Sequence, residues 1–451
     1  VFAASPSLSA SQTLRVDYFH TGDAKAEVFS LDRIVVEPTP WPGNPKRPLD
    51  DTNLGKYFFE VVDRSTNRVV YSRGFASIYG EWETTDEAKA IHRTFSESFR
   101  FPKPEHPVRI SLKKRDARND FREVWSLAVD PADVFVDTAK PPSPGPLLEI
   151  QKSGDPAHKV DLLILGDGYT AAERGKFEQD AKNLARLLFD HSPFKEHRGD
   201  FNVWGLCPTA AESGVSRPST GIHRRSPIGS TYDAFGSERY VLSFENRAFR
   251  DVASFAPYDF VEILVNSETY GGGGIFGLYG TVAADSAWAP YIFVHEFGHH
   301  FAGLADEYYT SDVAYETGGE KLEPWEKNVT AHPETLKWQH LVTPGVPIPT
   351  PWKKEEFEAY SRDVQKRRKQ IRAEKRPESE MDALFREERE HETKLLGADT
   401  HSGKVGAFEG ASYEAKGMYR SQEDCIMFTR DEVGFCSVCR TALAEVIRLY
   451  V

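Results

Sequence analysis

The sequence has little cysteine, little methionine and no long apolar run. Four cysteines in 451 residues are far too few for a disulfide scaffold, so stability must come from a hydrophobic core. No stretch approaches the roughly eighteen continuous apolar residues of a membrane helix, which restricts any membrane contact to a peripheral or lipid-mediated one. A basic surplus is missing as well. Against 69 acidic residues there are 56 Lys and Arg, a net charge of -13, and without excess cations to displace counterions nucleic acid is not an expected partner. The opening Val1-Phe2-Ala3-Ala4-Ser5-Pro6 has neither an initiator Met nor a charged leader, and reads as a trimmed start compatible with a removed signal peptide.

What is present is a globular composition, 39% hydrophobic and 28% charged, with 29 Phe, 18 Tyr and 8 Trp. The length exceeds what one core usually supports, so two domains are expected. Residues 1–137 read as an all-β sandwich. Short alternating runs such as Leu14 to Phe19 and Val108 to Leu112 are separated by turn residues, and 57–62 and 68–71 flank the polar turn Asp63-Arg64-Ser65-Thr66-Asn67. Prolines at 141, 142, 144 and 146 remove backbone donors and favour extended chain, which makes 138–147 a stiff linker.

From 148 to 451 the pattern is α/β (α+β). A buried strand at Leu162-Leu163-Ile164-Leu165 precedes Gly166-Asp167-Gly168-Tyr169 and a helix opened by a Thr170 to Glu173 capping box, with Phe177, Ala181, Leu184 and Leu188 at core-facing spacing. The runs 201–206 and 260–265 add strands to a mixed twisted sheet. Residues 353–396, dominated by Lys, Arg and Glu with scattered Tyr360, Val364, Ile371, Leu384 and Phe385, predict one or two long charged helices inserted into this domain, broken at Pro377.

The chemistry concentrates in His295-Glu296-Phe297-Gly298-His299. Histidines four residues apart lie one turn above each other on a helix, so both imidazoles reach one ion while Glu296 presents a carboxylate to its open position. The apolar run 289–294 predicts a buried helix, in which such polar groups need partners or a metal. A catalytic zinc takes three protein ligands. Gly303 lets the chain turn back, which makes Asp306 the third ligand; Glu307, longer but opposite in direction if the segment is extended, is the close alternative, and capping of local backbone is a different role open to Asp306. His300 has no assigned role beyond packing or supporting a neighbour.

The segment from His295 to Tyr308 resembles the active-site segment of the bacterial IgA-peptidase family of metzincin-like zinc metallopeptidases. The likeness extends through 163–169, 272–281, 408–411 and 425–427, and the N-terminal part is similar to the domain that precedes the peptidase in this family. The resemblance implies a secreted, periplasmic or cell-surface endopeptidase acting on protein or peptide substrates. The metzincin pattern H-E-x-x-H-x-x-G-x-x-H is followed by a methionine turn beneath the metal. Here the glycine arrives one residue late and Asp306 stands at the last ligand position, while Met427 is the methionine-turn candidate.

One catalytic Zn2+ on His295, His299 and Asp306, with Glu296 as general base, is the expected site. Tyr413 and Tyr419 are candidates for oxyanion stabilisation as well as for packing. Cys425, Cys436 and Cys439 resemble half of a structural zinc site, which Cys207 would complete, and a disulfide in an oxidising compartment would also fit; the spacing does not decide, and a second ion is not the favoured reading. The glycines 271–274 are read as a turn leading to an edge strand, with Ile275 to Thr281 either a peptide-docking edge or a plain hairpin. A surface adhesion protein on an inactive peptidase fold, and a zinc amidase or deacetylase, are the rival functions. Oligomeric state is not legible.

Overall fold

Along Arg93–Pro102 the side chains of Phe95, Glu97, Phe99 and Phe101 turn inward at every second position, the period of a pleated strand with one face on a core. The computed structural model describes residues 12–310, 322–431 and 433–451, and its N-terminal part is built on that alternation. In chain order the strands are β1 (Gln12–Gly22), β2 (Glu27–Pro40), β3 (Tyr57–Asp63), β4 (Val69–Phe75), β5 (Arg93–Pro102), β6 (Val108–Arg115), β7 (Phe121–Val129) and β8 (Val136–Asp137). They form two four-stranded sheets, ordered β5-β1-β2-β8 and β4-β3-β6-β7, which enclose Leu14, Val16, Tyr18, Phe59, Phe99 and Leu112. The β3–β4 turn is closed by Asp63, which accepts from the Ser65 and Thr66 amides at 2.9 and 2.7 Å.

The sandwich is not wholly β. Between β4 and β5 the chain makes two short helices, α1 (Ile78–Trp82) and α2 (Asp86–Ala90), each N-capped by a hydroxyl: Gly80 N donates to Ser77 Oγ and Ala88 N to Thr85 Oγ1. Helices this short give no periodic signal. They hold because Ile78, Tyr79 and Trp82 bury into the core shared with the second half of the chain.

Residues 138–147 run without regular structure to β9 (Leu148–Gln151). Next come β10 (Val160–Asp167), α3 (Arg174–Leu188), β11 (Phe201–Leu206), a two-residue ribbon of β12 (Ser230–Thr231) and β13 (Leu242–Ser243), α4 (Asn246–Ala253), β14 (Phe260–Val265), β15 (Gly272–Ile275), β16 (Tyr279–Ala283) and α5 (Ala289–Ala302). The six-stranded sheet is ordered β15-β16-β14-β10-β11-β9. Its four central strands are parallel, and both edges, β15 and β9, are antiparallel. β10, β11 and β14 are buried along their whole length, as strands covered on both faces are. The capping box at Thr170–Glu173 forms, and Phe177, Ala181, Leu184 and Leu188 face the core.

Helices α6 (Lys354–Ala373) and α7 (Glu378–Gly397) make a hairpin whose inner residues Val364, Ile371, Met381 and Leu384 are buried. Phe385 anchors it, 4.9 Å from the Tyr270 ring and 5.9 Å from that of Trp288 beside α5. A small sheet ordered β17-β19-β18 follows from β17 (Val329–Thr330), β18 (Phe408–Ala411) and β19 (Glu414–Arg420), and α8 (Ser437–Tyr450) packs on α5. The two halves are bolted together by charge. Buried Arg15 and neighbouring Arg33 both donate to Asp251, at 2.5 and 2.8 Å, and Arg100 donates to the Tyr258 carbonyl. Among the described residues no helix is long and apolar enough to cross a membrane.

Candidate active site

Helix α5 enters from an apolar first half and ends at Gly303, whose φ of 57° is left-handed and whose amide donates to the His299 carbonyl. A side chain there would strike the Trp325 ring at 2.5 Å. The turn sends Leu304 to Glu307 back along the helix as extended chain, pinned by Asn328, which donates to the Ala305 carbonyl and accepts from the Ala305 amide, both at 2.9 Å. Alternation in this segment points Asp306 at the histidines and Glu307 the other way, into a group of cysteines 3.4 Å from Cys439 Sγ.

The structure thus brings His295, Glu296, His299 and Asp306 together. His295 Nε2 and His299 Nε2 are 3.1 Å apart, and Asp306 Oδ1 is 3.1 Å from each. The other ring nitrogens are spoken for: His295 Nδ1–H donates to the Ile426 carbonyl at 2.8 Å and His299 Nδ1–H to the Leu304 carbonyl at 2.5 Å. A carbonyl only accepts, so a neutral imidazole so placed turns a lone pair inward at Nε2. Three electron-pair donors face one another with no proton between them, and only a cation or an extra proton relieves that. Zinc–nitrogen and zinc–oxygen bonds of about 2.0–2.1 Å in a tetrahedral site separate ligand atoms by about 3.3 Å, so this triangle fits a zinc-sized ion.

The electrostatics agree. Burial would lift Asp306, but the facing histidines, His299 foremost, hold its carboxylate well below the usual range. Burial opposes a charged His299, yet the Asp306 charge outweighs it and pushes the imidazole up to about 9. Glu296 is only half-buried at the cleft wall; desolvation raises its pKa while His295 and His299 pull against that. His300 lies apart in the core, 2.9 Å from Glu262 Oε1. Burial raises Glu262 and lowers His300 to about 3, so the two form a neutral hydrogen-bonded pair.

Met427 is fully buried beneath α5, its sulfur 3.0 Å from where a Cβ at Gly298 would lie, and its carbonyl accepts from Glu307 N at 2.8 Å. Tyr413 donates to Asp306 Oδ2 and lines the cleft, whereas Tyr419 sits outside it.

The cleft of about 570 Å³ in front of Glu296 and His299 has walls from both halves of the chain. Lys56, Glu81, Arg115 and Asn119 come from the N-terminal part, Glu81 on the unforeseen helix α1. Arg239 reaches the cleft from the loop after β12, donating to Tyr308 Oη at 3.0 Å, and forms no ion pair among the described residues. Neither Glu81 nor Arg239 carries a local sequence signal.

The glycine run is not a turn, and the edge is not Ile275 to Thr281. Gly272, Gly273 and Gly274 are themselves in the edge strand β15, residues 276–278 form the turn, and Tyr279–Ala283 is an interior strand paired on both sides. The cause is close approach to α5. A Cβ on Gly274 would sit 2.4 Å from the Glu296 carbonyl oxygen and 2.9 Å from His299 Cβ, and one on Gly272 would sit 2.5 Å from Ile292 Cγ2. Gly272 bonds outward to Arg239 O and Val241 N, so the antiparallel alternation aims the Gly274 amide and carbonyl outward too, into the cleft. The Gly274→Ala variant is expected to unfold about 1–3 kcal/mol more easily in denaturant titrations, since backbone rather than a flexible side chain must move.

A glutamate and two histidines on one buried helix, met by a carboxylate at the floor of a two-walled cleft, make up a candidate hydrolase centre. Comparison with known families makes the class specific: residues 148–447 match the family described as IgA Peptidase M64, and residues 6–126 match Peptidase M64 N-terminus. The chain belongs to the IgA peptidase M64 family and is a peptidase. No curated protein matches it individually.

Proposed function

We propose that this chain is a zinc-dependent endopeptidase of extracellular or host proteins, in which His295, His299 and Asp306 hold the ion and Glu296 is the general base. The observation that carries the reading is the triangle of inward-facing Nε2, Nε2 and Oδ1 atoms, each imidazole fixed from behind by a backbone carbonyl. Zinc bound there supplies Lewis-acid polarisation of the scissile carbonyl and acidifies water. Glu296, its pKa lifted by desolvation, takes the proton of the attacking water and returns it to the leaving amine. Arg239 contributes positive charge beside the developing oxyanion, and Tyr413 steadies the outer oxygen of Asp306. An extended substrate pairs its backbone with the free groups of Gly274 while the N-terminal half forms the opposite bank.

Met427 as floor beneath the histidines supports a metzincin-like arrangement with aspartate as third ligand. A setting outside the cytoplasm, whether secreted, periplasmic or at the cell surface, is part of the same proposal, because the extracellular or host proteins proposed as substrates are met there. An intact base in an open cleft speaks against an adhesion protein on a retired enzyme fold. The test is cleavage of a diverse peptide library before and after chelation. Activity is expected to vanish with chelator and return on adding about one equivalent of zinc; chelator-resistant cleavage would overturn the proposal.

A further inference from the structure

Cys425, Cys436, Cys439 and Glu307 converge inside the protein, apart from the cleft, and their ligand atoms all lie within 4.8 Å of one another. Cys425 Sγ and Cys439 Sγ are 3.9 Å apart, and Cys439 Sγ is 3.4 Å from Glu307 Oε1. Tetrahedral zinc, with bonds of about 2.3 Å to sulfur and about 2.0 Å to oxygen, sets sulfur atoms about 3.8 Å apart and sulfur and oxygen about 3.5 Å apart. The observed spacings match both. Cys207, the fourth ligand that the sequence offered as one alternative, is elsewhere, packed under β10 beside Gly166.

Two of the three sulfurs, those of Cys425 and Cys436, accept backbone N–H groups. Cys436 N donates to Cys425 Sγ at 3.2 Å and Cys439 N to Cys436 Sγ at 3.4 Å, at the start of α8, for which Cys436 is the N-cap. Backbone N–H groups at a helix N-terminus favour thiolate over thiol. Glu307 gives the independent sign. It is fully buried, Oε1 accepts from Asn328 Nδ2 at 3.0 Å, and Oε2 has no partner. Three hydrogen-bonded thiols leave that oxygen as it is. So does a disulfide, which would need sulfurs about 2.05 Å apart and would use two of the three.

We propose that Cys425, Cys436, Cys439 and Glu307 bind a second zinc ion in a closed structural site. Three thiolates and one carboxylate in tetrahedral reach select zinc over magnesium or calcium, which prefer more oxygen ligands. Buried Arg420, whose guanidinium donates to the Gly410 and Glu423 carbonyls and lies within Coulombic reach of Glu307, offsets part of the excess negative charge. The ion joins two segments that each adjoin the cleft: Cys425 precedes Ile426, whose carbonyl holds His295, and Glu307 follows Asp306. It therefore acts as a positioning element, and it rests on residues other than those of the catalytic reading.

Zinc content and X-ray absorption of the purified, reduced full chain test this. Wild type is expected to carry a second equivalent of zinc and a shell mixing sulfur with nitrogen and oxygen. In the His295→Ala/His299→Ala double variant the zinc that remains is sulfur-bound, and this holds whether or not the active-site reading is right. Cys439→Ser is expected to lose the sulfur-bound zinc, keep the other, and lower kcat/KM about 10- to 100-fold, the usual effect of removing support behind a metal site. A wild-type shell without sulfur, a double variant without zinc, or a disulfide between Cys425 and Cys439 found by mass spectrometry in the chain as purified would each overturn the proposal.

Discussion

Glu296→Ala is expected to lower kcat by about 100- to 10,000-fold, the range for removing a general base, while zinc content stays at the wild-type level. The two readouts separate because Glu296 bonds neither histidine nor Asp306; the three candidate ligand atoms contact one another without it. Its carboxylate projects from the turn of α5 that faces the cleft, with a proton affinity lifted by desolvation. Glu296→Gln keeps the shape and removes the basicity, so an equal loss in that variant assigns the effect to proton transfer. Full activity in either would sink the mechanism.

Asp306→Ala should instead lose the active-site metal. Removing its carboxylate leaves two lone-pair nitrogens 3.1 Å apart with one ligand and one negative charge fewer. Groups outside a coordination sphere already cost about 10- to 100-fold in metal affinity, so loss of a ligand is expected to exceed about 100-fold, with activity falling to background at ordinary zinc concentrations. Zinc titration followed by calorimetry measures it. Glu307→Gln is the paired variant, because that side chain points to the cysteines; it should weaken the sulfur-bound ion and lower active-site affinity by no more than about 10- to 100-fold, the effect of a supporting group. Equal losses in the two variants would mean that the ligand assignment is wrong.

What could be read in advance was what local periodicity encodes. The four-residue step from His295 to His299, the alternating runs of the sandwich, the capping box at Thr170 and the opposite directions of Asp306 and Glu307 are all set by residues within a few positions of one another. The errors arose where the cause lies far away in sequence. Glycines 272–274 look like a turn because glycine is common in turns, yet Gly274 is required by the backbone of α5 more than twenty residues later. Arg239 and Glu81 reach the cleft only through folding of distant loops, and α1 is helical because Tyr79 and Trp82 find a partner core, which no short window reveals. Glu307 could be expected to turn away from Asp306, but nothing local said that three sulfurs would be waiting there.

The three successive glycines of β15 bear on how such an enzyme diversifies. On the proposed docking, the free peptide groups of Gly274 would read every extended chain alike, so discrimination between sequences would fall to the facing bank, where Lys56, Glu81 and Arg115 stand on the N-terminal half. Changes in diet, so to speak, can then accumulate on a module that carries none of the hydrolytic groups, leaving the cutting machinery unaltered.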